Sequence, residues 1–255
     1  MIPKIIHYCW LSGDEYPENI RLCMESWYKN LPDYTFIKWD LTKFDLNTSI
    51  WVKQAFEAKK YAFAADYIRL YALSEYGGIY LDTDVEVLKS FDTLLHLPYF
   101  IGRENSCYGI EAATIGVEQN VPWIKNCLNY YNGRHFILEN GEYDIKVLPS
   151  IIADVLTSDF IIKDIENVDS WNLNDNGSIY RFSVDFFSPK TWNTGEIQTT
   201  QNTYSIHHFS GSWKPKYQLF EKRFWNYFGI KDLMIIGRIE FKILEIYKWI
   251  RKING

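Results

Sequence analysis

Residues 62–86 read AFAADYIRLYALSEYGGIYLDTDVE, and the fold class turns on them. Ala62, Ala65, Ile68, Leu70 and Leu73 recur near the helical period, so the first part reads as a helix with one apolar face. Gly77 and Gly78 end it, because glycine accepts the positive φ of a helix C-terminus. Ile79, Tyr80 and Leu81 form a short apolar strand, and Asp82, Thr83 and Asp84 follow at once. Along an extended strand, residues i and i+2 share a face. The two carboxylates are therefore expected to converge where a buried strand meets solvent. Like charges that close repel and call for a cation. Oxygen ligands select a hard divalent ion such as Mg²⁺ or Mn²⁺. A lone DxD is most often a solvated turn; the helix, the Gly-Gly stop and the apolar strand directly before this one favour a metal site.

The flanking elements alternate in the same way. Residues 3–10 read as a buried strand, 18–30 as an amphipathic helix with Ile20, Cys23, Met24 and Trp27 on one side, and 34–39 as a second strand. A β-α-β start predicts a parallel sheet. Residues 50–60 read as another helix, 85–88 and 100–103 as strands, and 91–95 as a helical turn. Residues 110–117 form a further strand, and 122–131 and 149–156 are helices. Residues 157–203 are short strands and loops rich in Asn, Asp, Ser and Thr. Ligands of an open α/β sheet sit at the C-terminal ends of its strands, which places Trp10 where a nucleotide base could stack. His7, among buried-strand neighbours, reads as structural.

The 255 residues suffice for one sizeable α/β domain, and 47% apolar content can fill its core. A net charge of −5 argues against general nucleic-acid binding. Cys9, Cys23, Cys107 and Cys127 show no zinc spacing and read as reduced thiols of a cytoplasmic protein. The start MIPKIIHYCW reads as a strand rather than a signal peptide, and no run of 18 apolar residues is present.

The ordered set Asp66, Arg69, Leu73, Gly77, Gly78, Tyr80, Asp82 and Asp84 resembles the DxD-containing glycosyltransferases of family 32, capsular and surface polysaccharide transferases among them. It is more distantly similar to the large clostridial glucosylating toxins. The resemblance covers roughly residues 1–215. It implies a GT-A fold, a Rossmann-like, mostly parallel sheet flanked by helices, with a nucleotide-sugar donor and a divalent metal. It also implies that Arg69 meets the diphosphate or sugar, that Asp66 accepts from sugar hydroxyls, that Tyr80 lies in the donor site, and that Trp10 stacks on the base. On the residues alone, Asp66 and Arg69 could simply be a surface pair, three apart on one helical face. Asp84 is expected to bind the metal directly, and Asp82 to reach the ribose or the metal through water. Family members usually carry an asparagine where this chain has Ala112; Glu111 or Thr114 could take over its sugar contact.

Residues 204–216 read YSIHHFSGSWKPK. A short strand delivers His207 and His208, and imidazole is a suitable third ligand for Mn²⁺ beside two carboxylates. The order H-x-x-G-x-x-K-P resembles the metal-histidine loop of the glycogenin-like transferases. On that match His208 is the ligand ahead of His207, which points to the opposite face of the strand. Gly211, Ser212 and Lys214 would lie near the diphosphate, and Trp213 would close over the donor.

Residues 1–215 therefore read as the catalytic domain and 216–255 as a basic, aromatic, helical tail. From 214 onward there are ten Lys or Arg against four Asp or Glu, net +6, opposite in sign to the remainder. Such a segment packs on its domain or lies on an anionic bilayer. The expected function is metal-dependent, retaining transfer of a hexose from a nucleotide sugar, UDP-linked by expectation. The acceptor would be a saccharide or lipid-linked saccharide in surface polysaccharide synthesis, with the enzyme cytoplasmic or peripheral on the inner membrane face. Two rivals stay open: a sugar-nucleotide nucleotidyltransferase, disfavoured because LSGDEYPEN lacks a basic Gly-rich loop, and a non-catalytic carbohydrate-binding protein.

Overall fold

The computed structural model describes residues 1–104, 109–191 and 194–210. The chain divides into two compact units, Met1–Thr191 with Ile197–Phe209, and Trp192–Glu196 with Ser210–Gly255. Only residues 194–196 and 210 of the second are described. The expected division at 215/216, the loop of Gly211, Ser212, Trp213 and Lys214, Cys107, and the tail 216–255 all lie outside the described residues.

The first unit begins β1 (Ile5–Cys9), α1 (Glu18–Asn30), β2 (Thr35–Trp39), α2 (Ile50–Glu57), α3 (Tyr61–Tyr76) and β3 (Gly78–Leu81). It continues β4 (Val85–Val87), β5 (Tyr99–Gly102), β6 (Glu111–Val117), α4 (Pro122–Asn129) and α5 (Leu148–Asp159). It closes with β7 (Ile161–Ile165), β8 (Ser178–Phe182), α6 (Val184–Phe187) and β9 (Ser205–His207). Seven strands form one sheet in the order β2-β1-β3-β6-β5-β8-β7, and β4 and β9 form a two-stranded ribbon. Neighbours in the sheet are parallel except where β6 pairs with β3 and β5, so β6 alone runs backwards. The expected mostly parallel α/β sheet flanked by helices is what forms.

Strand alternation sorts side chains into two cores. Ile6, Tyr8, Ile79, Leu81, Phe100 and Phe182 pack with α1, α6 and the ribbon on one face. Tyr80, Ile101, Ile115 and Val117 pack with α2, α3, α4 and α5 on the other. The central strands β3 and β6 are buried throughout.

The hinge of this arrangement is the end of α3. Gly77 (φ +62) and Gly78 (φ +97) both take left-handed conformations. A Cβ on Gly78 would also lie 2.7 Å from the Ile5 carbonyl oxygen of the neighbouring strand. Glycine is thus required for dihedral and for space. His7, fully buried, locks the junction. Its Nδ1 accepts from Trp39 Nε1 at 3.1 Å, so Nε2 carries the proton it donates to the Gly77 carbonyl at 2.9 Å. Burial holds its pKa down at about 4. The structural reading of His7 holds.

The apolar face expected on α3 differs from the observed one. Ala62 and Ala65 are only half-buried, whereas Phe63, Ala64, Tyr67, Ile68, Leu70, Ala72 and Leu73 are buried, together with Arg69 and Ser74. The helix lies between the sheet and its neighbours α2 and α4, so burial is not confined to one stripe.

Candidate metal and donor site

The site forms where β3 ends. Asp82 and Asp84 sit in a turn between β3 and β4 rather than along a strand, which corrects the alternation argument. Asp82 N–H donates to the Ala113 carbonyl at 2.9 Å, and Val85 N–H donates to the Asp82 carbonyl at 3.0 Å. The turn, not the pleat, aims both carboxylates the same way. The β4–β9 ribbon then aligns Val85 with His207. Carboxylate oxygens of Asp82 and Asp84 and a ring nitrogen of His207 lie within 4.8 Å of one another. His207 Nε2 is 3.7 Å from Asp84 Oδ1, and its Nδ1 is 3.3 Å from both carboxylate oxygens of Glu111.

Register corrects the choice between the histidines. His207, not His208, turns toward Asp82 and Asp84. His208 faces the other side: its Nε2 is 2.8 Å from Glu86 Oε2, and Lys190 Nζ bonds its Nδ1 at 3.2 Å and its carbonyl at 3.1 Å. The backbone N–H of His208 still supports the site by donating to the Asp84 carbonyl at 3.0 Å.

Arg69 stands behind Asp82. It is 5% exposed; its Nη2 donates to Asp82 Oδ1 at 2.8 Å and lies 3.5 Å from Asp66 Oδ1. Its Nη1 donates to the Ala112 carbonyl, and its guanidinium stacks over the Tyr80 ring at 4.3 Å. Asp66 and Arg69 do pair, but with Arg69 buried and Asp66 half-buried rather than on the open surface. Burial raises the Asp66 pKa to about 6 against the pull of Arg69. Burial also raises Asp82, with Arg69 opposing and Asp84 reinforcing the shift. At His207 burial disfavours charge, but Glu111 and Asp84 outweigh it and lift the pKa to about 10. Cys9, beside this cluster, is pushed up to about 12 by burial, which disfavours its thiolate.

Trp10 follows the C-terminal end of β1, the strand next to β3. It is half-buried, packs on Tyr16 with centroids 4.8 Å apart, and donates from Nε1 to the Asp14 carbonyl at 2.7 Å. Trp10 and the acidic turn thus share one edge of the sheet.

Lys190 was not legible as part of the site, and Glu111 and Thr114 take other places than the one expected of them. Lys190, after α6, feels Asp84 and Glu86 while burial pulls its pKa down; nothing in the loop sequence marks it. Glu111 and Thr114 are fully buried, Glu111 against His207 and Thr114 with its hydroxyl 3.3 Å from Ser205 Oγ. Neither presents surface for the sugar contact expected in place of the asparagine.

The donor set suits a divalent cation: two carboxylates and an imidazole fit Mn²⁺ or Mg²⁺ better than a soft metal.

Residues 17–101 match the family described as "Glycosyltransferase sugar-binding region containing DXD motif". Over 127 residues the chain is 33% identical to inositol phosphoceramide mannosyltransferase 3 of Schizosaccharomyces pombe, covering 48% of this chain and 35% of that protein. Over 132 residues it is 33% identical to mannosyl phosphorylinositol ceramide synthase SUR1 of Saccharomyces cerevisiae, covering 50% and 34%. The chain spans about a third of the length of these curated relatives. Among solved structures it is similar to the PaToxG glycosyltransferase, at 24% identity and a TM-score of 0.46, covering 62% of this chain and 69% of that one. Residues 17–101, the stretch similar to that family, carry Asp66, Arg69, Tyr80, Asp82 and Asp84.

Proposed function

We propose that this protein is a metal-dependent glycosyltransferase of GT-A type. It moves a hexose from a nucleotide sugar to a saccharide or lipid-linked saccharide. The observation that carries the reading is the convergence of Asp82, Asp84 and His207 at the strand edge shared with Trp10. Similarity to an inositol phosphoceramide mannosyltransferase and a mannosyl phosphorylinositol ceramide synthase supports a hexose donor and a lipid-linked acceptor. A UDP-hexose and a nucleotide-linked mannose are the donors to test first, with Mn²⁺ as the ion. Retention of configuration, a place in surface polysaccharide synthesis, and a cytoplasmic protein resting on the inner membrane face complete the proposal.

Asp82, Asp84 and His207 would hold the ion, which when bound supplies Lewis-acid stabilisation of charge on the departing diphosphate. Arg69 keeps Asp82 ionised and oriented and adds positive potential behind the site. Asp66, partly open to solvent beside it, accepts from a sugar hydroxyl. Lys190 places a second positive charge near Asp84 and Glu86. Trp10 offers an aromatic face to the base.

Calorimetry with and without Mn²⁺ tests the reading. A transferase binds the nucleoside diphosphate only with the ion and slowly hydrolyses its donor. Binding of free glycan with no response to nucleotide and ion would instead make the protein a carbohydrate-binding module.

A further inference from the structure

Glu111 is a fully buried carboxylate at the start of β6. Its Oε1 accepts from the Ala113 backbone N–H at 2.7 Å, which fixes the side chain. Both of its oxygens lie 3.3 Å from His207 Nδ1. Across the same ring, Nε2 faces Asp84 Oδ1 at 3.7 Å. The imidazole is therefore held between a buried carboxylate on one edge and the acidic turn on the other.

We infer that Glu111 is a positioning residue for the cation site: it claims the Nδ1 proton of His207 and so leaves Nε2 as the nitrogen presented to the ion. The inference rests on the proposed metal site. A histidine ligand is oriented and made more basic when its remote N–H is given to a carboxylate. An ionised carboxylate is acceptor-only, so Nδ1 must donate to it. An amide in the same place, with its oxygen kept by the Ala113 N–H, would turn an NH₂ toward Nδ1. His207 would then carry its proton on Nε2, the wrong side for binding a cation. Charge and hydrogen-bond polarity, not size, are what the position requires. A second grouping, Glu104, Glu111 and His207 within 4.8 Å, would instead make Glu111 a direct ligand. The experiment must separate the two.

Mn²⁺ alone is titrated into the full-length protein, and the free ion is followed by its EPR signal. Glu111→Gln is expected to weaken binding about 10- to 100-fold with the thermal unfolding midpoint little changed. The same substitution on a His207→Ala background is expected to change affinity less than about twofold, because a residue acting through His207 has nothing left to orient. Equal losses in both backgrounds make Glu111 a ligand in its own right and overturn the inference. Unchanged binding by Glu111→Gln overturns it as well, while leaving the metal site intact. Asp84→Ala runs in parallel: wild-type protein that fails to bind Mn²⁺, or binds no better than Asp84→Ala, sinks the metal site and this inference together. Should Glu111→Gln not fold, Glu111→Asp, which draws the carboxylate back from Nδ1, takes its place with the same outcomes.

Discussion

Arg69 Nη2, in the middle of α3, donates to Asp82 Oδ1, just beyond the end of β3, across 2.8 Å. Removing one member of a buried ion pair leaves the other uncompensated, at a cost of about 3–5 kcal/mol. Asp82 retains some solvent contact, so Arg69→Met is expected to lose roughly 3 kcal/mol in urea unfolding, the low end of that range. Arg69→Lys should also fall short of wild type, since an ammonium lacks the planar fork that bonds Asp82 and Ala112 while stacking on Tyr80. A stability within experimental error of wild type for both would show the pair to be ornamental.

Asp84→Ala should abolish metal-dependent turnover of a nucleotide sugar while leaving the unfolding midpoint within a few degrees of wild type. The Asp84 backbone carbonyl, which holds His208, is untouched by the change. Near-normal rates in Mn²⁺ would remove Asp84 from the site.

Trp10→Ala should raise the dissociation constant of the nucleotide about tenfold or more, because base stacking on an aromatic ring is worth about 1–3 kcal/mol. Mn²⁺ binding measured alone should not change. An unaltered nucleotide affinity in a folded variant would make Trp10 only a packing partner of Tyr16.

His7 predicts acid sensitivity of the fold. Its pKa is about 4 when folded and near 6.5 when unfolded, so the unfolded chain takes up the proton first. Stability from this group is complete above about pH 6.5 and falls as the pH drops toward 4, by roughly 3 kcal/mol in all. Unfolding free energies of wild type and His7→Asn, compared between pH 7 and 4.5, should converge as the pH falls. Parallel curves would contradict the assignment of neutral His7.

The tail 216–255 is expected to hold the protein on anionic membranes. A surplus of six positive charges from residue 214 onward, at about 1 kcal/mol per basic residue near such a surface, suffices without a spanning helix. No described helix is long and apolar enough to cross a membrane. The protein should sediment with vesicles containing anionic lipid and be released by high salt, which shortens the reach of exposed charges. Equal sedimentation with neutral vesicles, or none at all, counts against this role.

Local chemistry made much of the fold legible. The bounds of α1 at Glu18–Asn30 and the end of α3 at the Gly-Gly pair follow from side-chain period and allowed φ, both properties of a few neighbouring residues. The chain also announced Asp66, Arg69, Asp82 and Asp84, because they lie within one helix, one strand and one turn. Pairing across distance set the rest. Whether His207 or His208 faces the carboxylates depends on the register of β9 against β4, about 120 residues earlier, and a one-residue slip exchanges them. Glu111 and Lys190 join the site only because β6 runs antiparallel beside β3 and because the chain after α6 returns past β9. The burial of Arg69 likewise required the sheet and its neighbouring helices to close around α3, since a side chain's surroundings come from elements its own sequence neighbours do not contain.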